Sequence, residues 1–395
     1  MQTLFLIVFI DLLGFGIVIP LLPFYGEHFD ATPDVVALLM ATYSMTQLVS
    51  APFWGRLSDR IGRRPVLLMT LPGAIISYSC LGFADSLWML FAARAFGGVM
   101  AGNIAAAFAY VADITGPEDR AKGMGVIGAA FGLGFIAGPA IGGILGGADP
   151  MQVDFQTPAL AAAALSAIAL IMTLAVLPES LPAEVRAQLA SATPSERRKR
   201  FRAVFRTPGI GLLMAISFLT TFVFAGAEAT TAMWTERQYG WGPQQNGYLF
   251  AFLGIVSAAI QGGLIGRLTR YFGETRLIMQ GAAVFAIGMF LIPFSATLPI
   301  LLVAVSALAY GFSVITPALN SLISRRVGAT EQGAVLGAAR SVTTLARVVG
   351  PAWAGILFAG LGRHWPYFGG AVVMAVVLFL AVVLVRRAAA EVNRD

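Results

Sequence analysis

The sequence predicts an all-α integral membrane protein of twelve transmembrane helices, arranged as two six-helix bundles related by pseudo-twofold symmetry. Three observations carry this. Apolar residues make up 58% of the 395, charged residues only 12%, and the mean hydropathy is +0.80; a soluble chain of this size could not hide so much hydrocarbon. The apolar stretches are long enough to cross a bilayer, which takes about 20 residues each. The chain also repeats itself about 211 residues apart. GRLSDRIGRRPVLL from Gly55 returns as GRLTRYFGETRLIM from Gly266, and the Asp119–Gly143 segment returns as Glu331–Gly355.

In the first half the spans are expected near 4–24, 35–54, 65–83, 87–112, 121–146 and 158–177. The first carries Asp11 mid-run, has almost no basic flank, and is followed by Pro20 and Pro23, so it does not read as a cleaved signal peptide. The third holds the single cysteine, Cys80, which excludes an intrachain disulfide. A polar, proline-containing connector, 178–208, separates the halves; its segment Glu196–Arg206 has the pattern of a basic amphipathic helix, a solvated loop being the alternative. The second-half spans are expected near 209–233, 246–265, 276–296, 298–322, 332–359 and 366–385. The domains are therefore 1–177, the connector, and 209–395. High glycine content, 44 residues, suits closely packed membrane helices.

Charge sets the expected orientation. Of 26 Lys and Arg, 21 fall in loops or tails on one side, so the positive-inside rule puts both termini in the cytoplasm. The pI of 9.8 comes from basic residues scattered over short loops, which argues against a nucleic-acid partner.

The ionisable residues inside spans are the candidate chemistry. Asp11 and Glu228 lie in the first spans of the two halves, and Arg94, Arg340 and Arg347 lie in the fourth and eleventh. Each would cost roughly 2.5–3.5 kcal/mol facing lipid, so they should face one another or a wet cavity. Arg340 and Arg347 are seven apart, on one helix face, where the first-half copy has Gly128 and Phe135. The repeat does not require them, and a guanidinium pair suits an anionic group; internal pairing with Glu228 or Asp11 is the alternative. Glu228 and Asp11 are the candidate proton carriers, since burial and a nearby Arg push a carboxyl in opposite directions. Arg94 is a candidate for coupling or for helix packing. Tyr43, Gln47, Asn103, Gln261, Gln280 and Asn320 are candidates to line a mixed pocket, with helix–helix hydrogen bonding the competing role.

GRLSDRIGRRP reads as a conformational latch. Gly55 and Gly62 are expected to permit a tight turn. Asp59, among Arg60 and Arg63, is expected to meet a helix N-terminus or an Arg such as Arg120 in one conformation and release it in another, with Asp113 in the same group. Such a contact biases a two-state equilibrium by about 1–3 kcal/mol. The second-half copy has Arg270 in place of the acid, so its latch is expected to be weakened. Gly134, Gly138, Pro139, Gly142 and Gly143 supply small residues and a kink for close packing.

These motifs, in this order, resemble the major facilitator superfamily over the whole chain. GRLSDRIGRRP is similar to its signature loop, LFAARAFGGVMAG from Leu90 to its fourth-helix Arg motif, and GFIAGPAIGG from Gly134 to the fifth-helix motif of its drug:proton antiporters. FIDLLGFGIVIPLLP resembles the tetracycline efflux branch, but that branch's acids in helices three and nine are missing: Ser77 stands at the first, and 277–296 contains none. FAGAEATTAM around Glu228 and AARSVTTLARVVGP around Arg340 and Arg347 resemble the animal tetracycline-transporter-like proteins, associated with organic anions. The resemblance implies a proton-coupled antiporter exporting amphiphilic organic anions or zwitterions by alternating access. The expected setting is a bacterial cytoplasmic membrane, as a monomer among lipid, with no cofactor beyond the proton gradient and no metal. A lipid or lysolipid translocase of the same fold is the alternative. A membrane enzyme or receptor is remote, because no P-loop, nucleophile elbow or metal-ligand cluster occurs in the sequence.

Overall fold

The structure, a computed structural model, describes residues 2–115, 120–182, 184, 186, 209–326 and 332–392, without the side chains of 120–122, 124, 131, 332–334 and 387–392. The expected helix at 196–206 lies outside these residues, as does the Arg120 side chain. Among the described residues twelve helices are long and apolar enough to cross a membrane: Gln2–His28, Pro33–Ile61, Arg63–Gly82, Leu87–Ile114, Gly125–Gly146 and Gln156–Ala175, then Ile210–Tyr239, Pro243–Phe272, Glu274–Phe294, Leu298–Arg325, Val335–Leu361 and Trp365–Arg386. Most outrun the expected spans. Helix 2 continues through GRLSDRI to Ile61, because its arginines and leucine are good helix formers, and only Gly62, at φ +108°, stops it. Large apolar side chains such as Val49, Ile171, Ile356 and Phe379 stay exposed on the helices, as a lipid-facing surface requires.

The chain forms two compact units. One comprises residues 1–192 with 231–254, the other 193–230 with 255–395. The end of helix 7 and the start of helix 8, 231–254, thus belong to the first unit.

In the first unit, helix 1 packs on helices 5 and 6, helix 3 on helices 4 and 6, and helix 2 on helix 4. The glycine motif explains the first contact. A Cβ at Gly134 would stand 2.9 Å from Leu12 Cβ, one at Gly138 2.7 Å from Gly16 Cα, and one at Gly142 would fall on the Ile17 carbonyl oxygen. Gly143 instead faces the start of helix 8, near Pro243 and Gly247. Arg237, at the end of helix 7, pairs with Glu27 at 2.8 Å and helps bind 231–254 to this unit.

In the second unit, helix 9 packs on helices 10 and 12, and helix 11 packs on helices 10 and 12. Helix 7 meets helix 11 at Gly226 and Gly350, where a Cβ on Gly226 would lie 3.1 Å from the Gly350 carbonyl oxygen. This reproduces the Gly16–Gly138 crossing of the other half. Helix 8 carries one π turn, Ile260–Leu264, that the repeat did not announce; the matching stretch of helix 2 is regular α-helix.

Gly142→Val should force helices 1 and 5 apart and destabilise by about 1–3 kcal/mol, read as a lowered Tm in detergent. Gly132→Ala, where nothing lies within 4 Å, should leave Tm unchanged or slightly raised.

Candidate functional site

Within the second unit, helix 7 presents Glu228 and helix 11 presents Arg347. Their Oε2 and Nη1 atoms are 3.2 Å apart, with the two side chains 12% and 32% exposed. The pair is therefore neither sealed nor fully solvated. It forms where it does because the Gly226–Gly350 crossing brings the two backbones close just beside it. Arg340 is exposed two turns earlier on helix 11, where its carbonyl accepts the hydroxyls of Thr343 and Thr344. Gln261, inside the π turn, donates to Ser313 Oγ at 3.4 Å; such turns free backbone groups and often mark functional positions.

Within the first unit, Arg94 is buried to 4% exposure and does not pair with Asp11. Its guanidinium lies 4.4 Å from the centre of the Tyr43 ring and 5.9 Å from that of Phe15. Aromatic faces thus hold the charge, which in a desolvated setting is worth about 2 kcal/mol or more, while Nε has no hydrogen-bond partner. Asp11 has neither an ion pair nor a hydrogen bond among the described residues. It lines a cavity of about 20 Å³ with Asn103, Leu67 and Ile127, room for about one water. Of the neutral candidates, Asn103 donates to Thr70 Oγ1 at 3.0 Å and Gln47 to the Ala101 carbonyl at 3.1 Å. Those two hydrogen bonds tie helices together.

The latch segment is built around Arg63. Asp59 pairs with Arg63 at 2.7 Å, and Arg63 Nε reaches Asp113 at 3.1 Å. One buried guanidinium, also bonded to Ser58 Oγ, thus joins the ends of helices 2, 3 and 4. The helix N-terminus is met by Glu179, which sequence reasoning missed. Its carboxylate accepts the backbone N–H groups of Arg63 and Arg64 at 2.9 and 3.1 Å, and those of Ser180 and Leu181. An acid one residue past Pro178, just where helix 6 ends, was the available signal. Ser180 Oγ adds a bond to Asp113. Gly62 makes the turn, whereas Gly55 sits inside helix 2 with open space around its Cβ position, so the turn does not need it. In the second-half copy Glu274 and Arg325 pair at 2.9 Å, with Arg325 largely exposed.

The family model described as Major Facilitator Superfamily matches residues 4–338 and 262–395. The tetracycline resistance protein, class E, of Escherichia coli is 33% identical over 91% of this chain and 88% of its own length. Multidrug resistance protein 2 of Bacillus subtilis is 30% identical over 97% of this chain and 95% of its own. The crystal structure of the human organic anion transporter MFSD10 (TETRAN) superposes with a TM-score of 0.72 at 27% identity, covering 96% of this chain and 98% of that one. The fold, the motifs and these relatives together place the chain: it belongs to the major facilitator superfamily and is a membrane transporter, not an enzyme.

Proposed function

We propose that this protein is a proton-driven antiporter that exports amphiphilic zwitterions or organic anions by alternating access. Its setting is the bacterial cytoplasmic membrane, with both termini in the cytoplasm. The observation that carries the reading is the part-open ion pair of Glu228 and Arg347 inside apolar helices.

A zwitterion matches such a pair. Its anionic end takes Arg347, with Arg340 on the same helix as a second cation, and its cationic end takes Glu228. A proton on Glu228 removes the partner of the cationic end, so proton and substrate exclude each other at that carboxylate. Mutual exclusion is what exchange requires. A simple anion at Arg347 leaves Glu228 to recruit a proton alongside it, so for such substrates the exchanged proton belongs on Asp11. The twelve spans, the 21 basic residues on one side and the relatedness to tetracycline resistance, multidrug resistance and organic anion transport proteins support the reading.

Everted vesicles containing the protein, acidified inside, should accumulate tetracycline, a zwitterionic probe. Uptake unchanged by a protonophore would remove the antiport reading. Glu228→Gln should abolish gradient-driven accumulation, and an unchanged pH dependence would clear that residue. Arg347→Ala should weaken binding of anionic and zwitterionic probes roughly ten- to hundred-fold, the worth of a hydrogen bond to a charged group, and neutral analogues little. Asp59→Asn should slow turnover several-fold with substrate Kd nearly unchanged, because the latch biases conformations and does not touch the ligand; an equal loss in Kd would contradict this role.

A further inference from the structure

The three charges that form the latch cluster are reversed in its second copy. The shift of 211 that aligns Gly55 with Gly266 puts Arg270 on Asp59 and Glu274 on Arg63. The shift of 212 that aligns Asp119 with Glu331 puts Arg325 on Asp113. An acid–base–acid cluster in one unit has become base–acid–base in the other.

The packing changes with it. In the first unit Trp54 packs with Val66, Ala106 and Ile61, its indole N–H donating to the Val99 carbonyl at 2.6 Å, and Arg63 is buried. Ile265 stands at the Trp54 position in the second unit. There a cleft of about 500 Å³ remains, lined by Thr269, Arg270, Glu274, Pro317, Ser321 and Arg325. Glu274 is already committed: it accepts from Arg325 Nη2 at 2.9 Å and from Ser321 Oγ at 3.2 Å. Arg270 lines the same cleft and has no ion pair or hydrogen bond among the described residues. One carboxylate against two guanidiniums leaves the cleft with a charge of +1, and two hydroxyls stand beside it.

The first unit also shows what this corner of the fold does with an anion. The Glu179 carboxylate sits on the first N–H groups of helix 3, behind Gly62 at φ +108°. Helix 9 begins in the same way, behind Gly273 at φ +73°, and no side chain among the described residues caps it. A helix start of this kind favours a bound anion.

We propose that this cleft is a binding site for a phosphate ester, with Arg270 and Arg325 supplying the charge and Thr269 a hydroxyl group. Guanidinium forks suit tetrahedral oxyanions. The site is separate from the Glu228–Arg347 pair and stands whether or not the proposed antiport does. Two sources of the same chemistry are open to it, a soluble phosphate or an anionic lipid headgroup. The lipid source rests on the cytoplasmic placement of these helix ends, where such lipids gather.

The test is thermal stability of the full-length protein in neutral detergent. It is titrated with short-chain phosphatidylglycerol, with the matching phosphatidylcholine, and with inorganic phosphate against chloride at equal ionic strength. Phosphatidylglycerol or phosphate should raise Tm saturably, and Arg270→Ala should weaken that binding roughly tenfold, as loss of one charge-assisted contact does. Arg267→Ala, one turn away and outside the cleft, should leave it unchanged. Stabilisation by the lipid alone assigns a headgroup; stabilisation by phosphate alone assigns a soluble ester. No saturable shift, a shift equalled by phosphatidylcholine or chloride, or equal loss in the Arg267 and Arg270 variants would overturn the site.

Discussion

A carboxylate and a guanidinium held 3.2 Å apart between two apolar helices are the constraint on which the functional account depends. A charge alone in hydrocarbon is costly, and removing one partner of a buried pair typically costs about 3–5 kcal/mol. A pair that must stay together in the empty protein is one that only a chemically matched guest can separate. Partial exposure of both side chains gives such a guest somewhere to act. The helices reach this arrangement because glycine faces glycine at their crossing, which lets the charged side chains meet instead of reaching across a gap.

The same crossing appears in the first unit with different contents. Gly16 meets Gly138, yet no acid–base pair follows; Arg94 is held by aromatic faces, and Asp11 sits by a cavity the size of one water. Packing geometry has been kept across the repeat while the charges have diverged. The latch clusters show the divergence most plainly: Arg63 lies between two carboxylates, and its counterpart Glu274 pairs with one of two arginines near it. A fold can keep the helix crossings because close backbone approach depends only on small side chains. Charge is free to change wherever the new set can still be satisfied.

That division explains what could be read in advance. Twelve spans, the internal repeat and the glycine packing face follow from hydropathy and residue size, which are local properties. Glu228 and Arg347 stood out because charge in an apolar run is rare, and their pairing was one of the two readings the sequence left open. Glu179 was not readable, since its role depends on a turn after helix 6 that no periodicity records. The Asp59–Arg63 contact was hidden for a related reason: helix 2 runs on to Ile61, so Asp59 finds a cation one turn onward. The π turn at Ile260–Leu264 and the cleft beside Ile265 likewise arise from three-dimensional packing, where one tryptophan has become an isoleucine.

The central claim is that proton and substrate compete for one carboxylate. Proton release on binding measures this directly: purified protein in weakly buffered solution, at a pH where the site is partly protonated, receives a saturating zwitterionic substrate. The account predicts protons released to the medium in proportion to the substrate bound, and none from Glu228→Gln protein. Binding with no release, or with protons taken up, would contradict it.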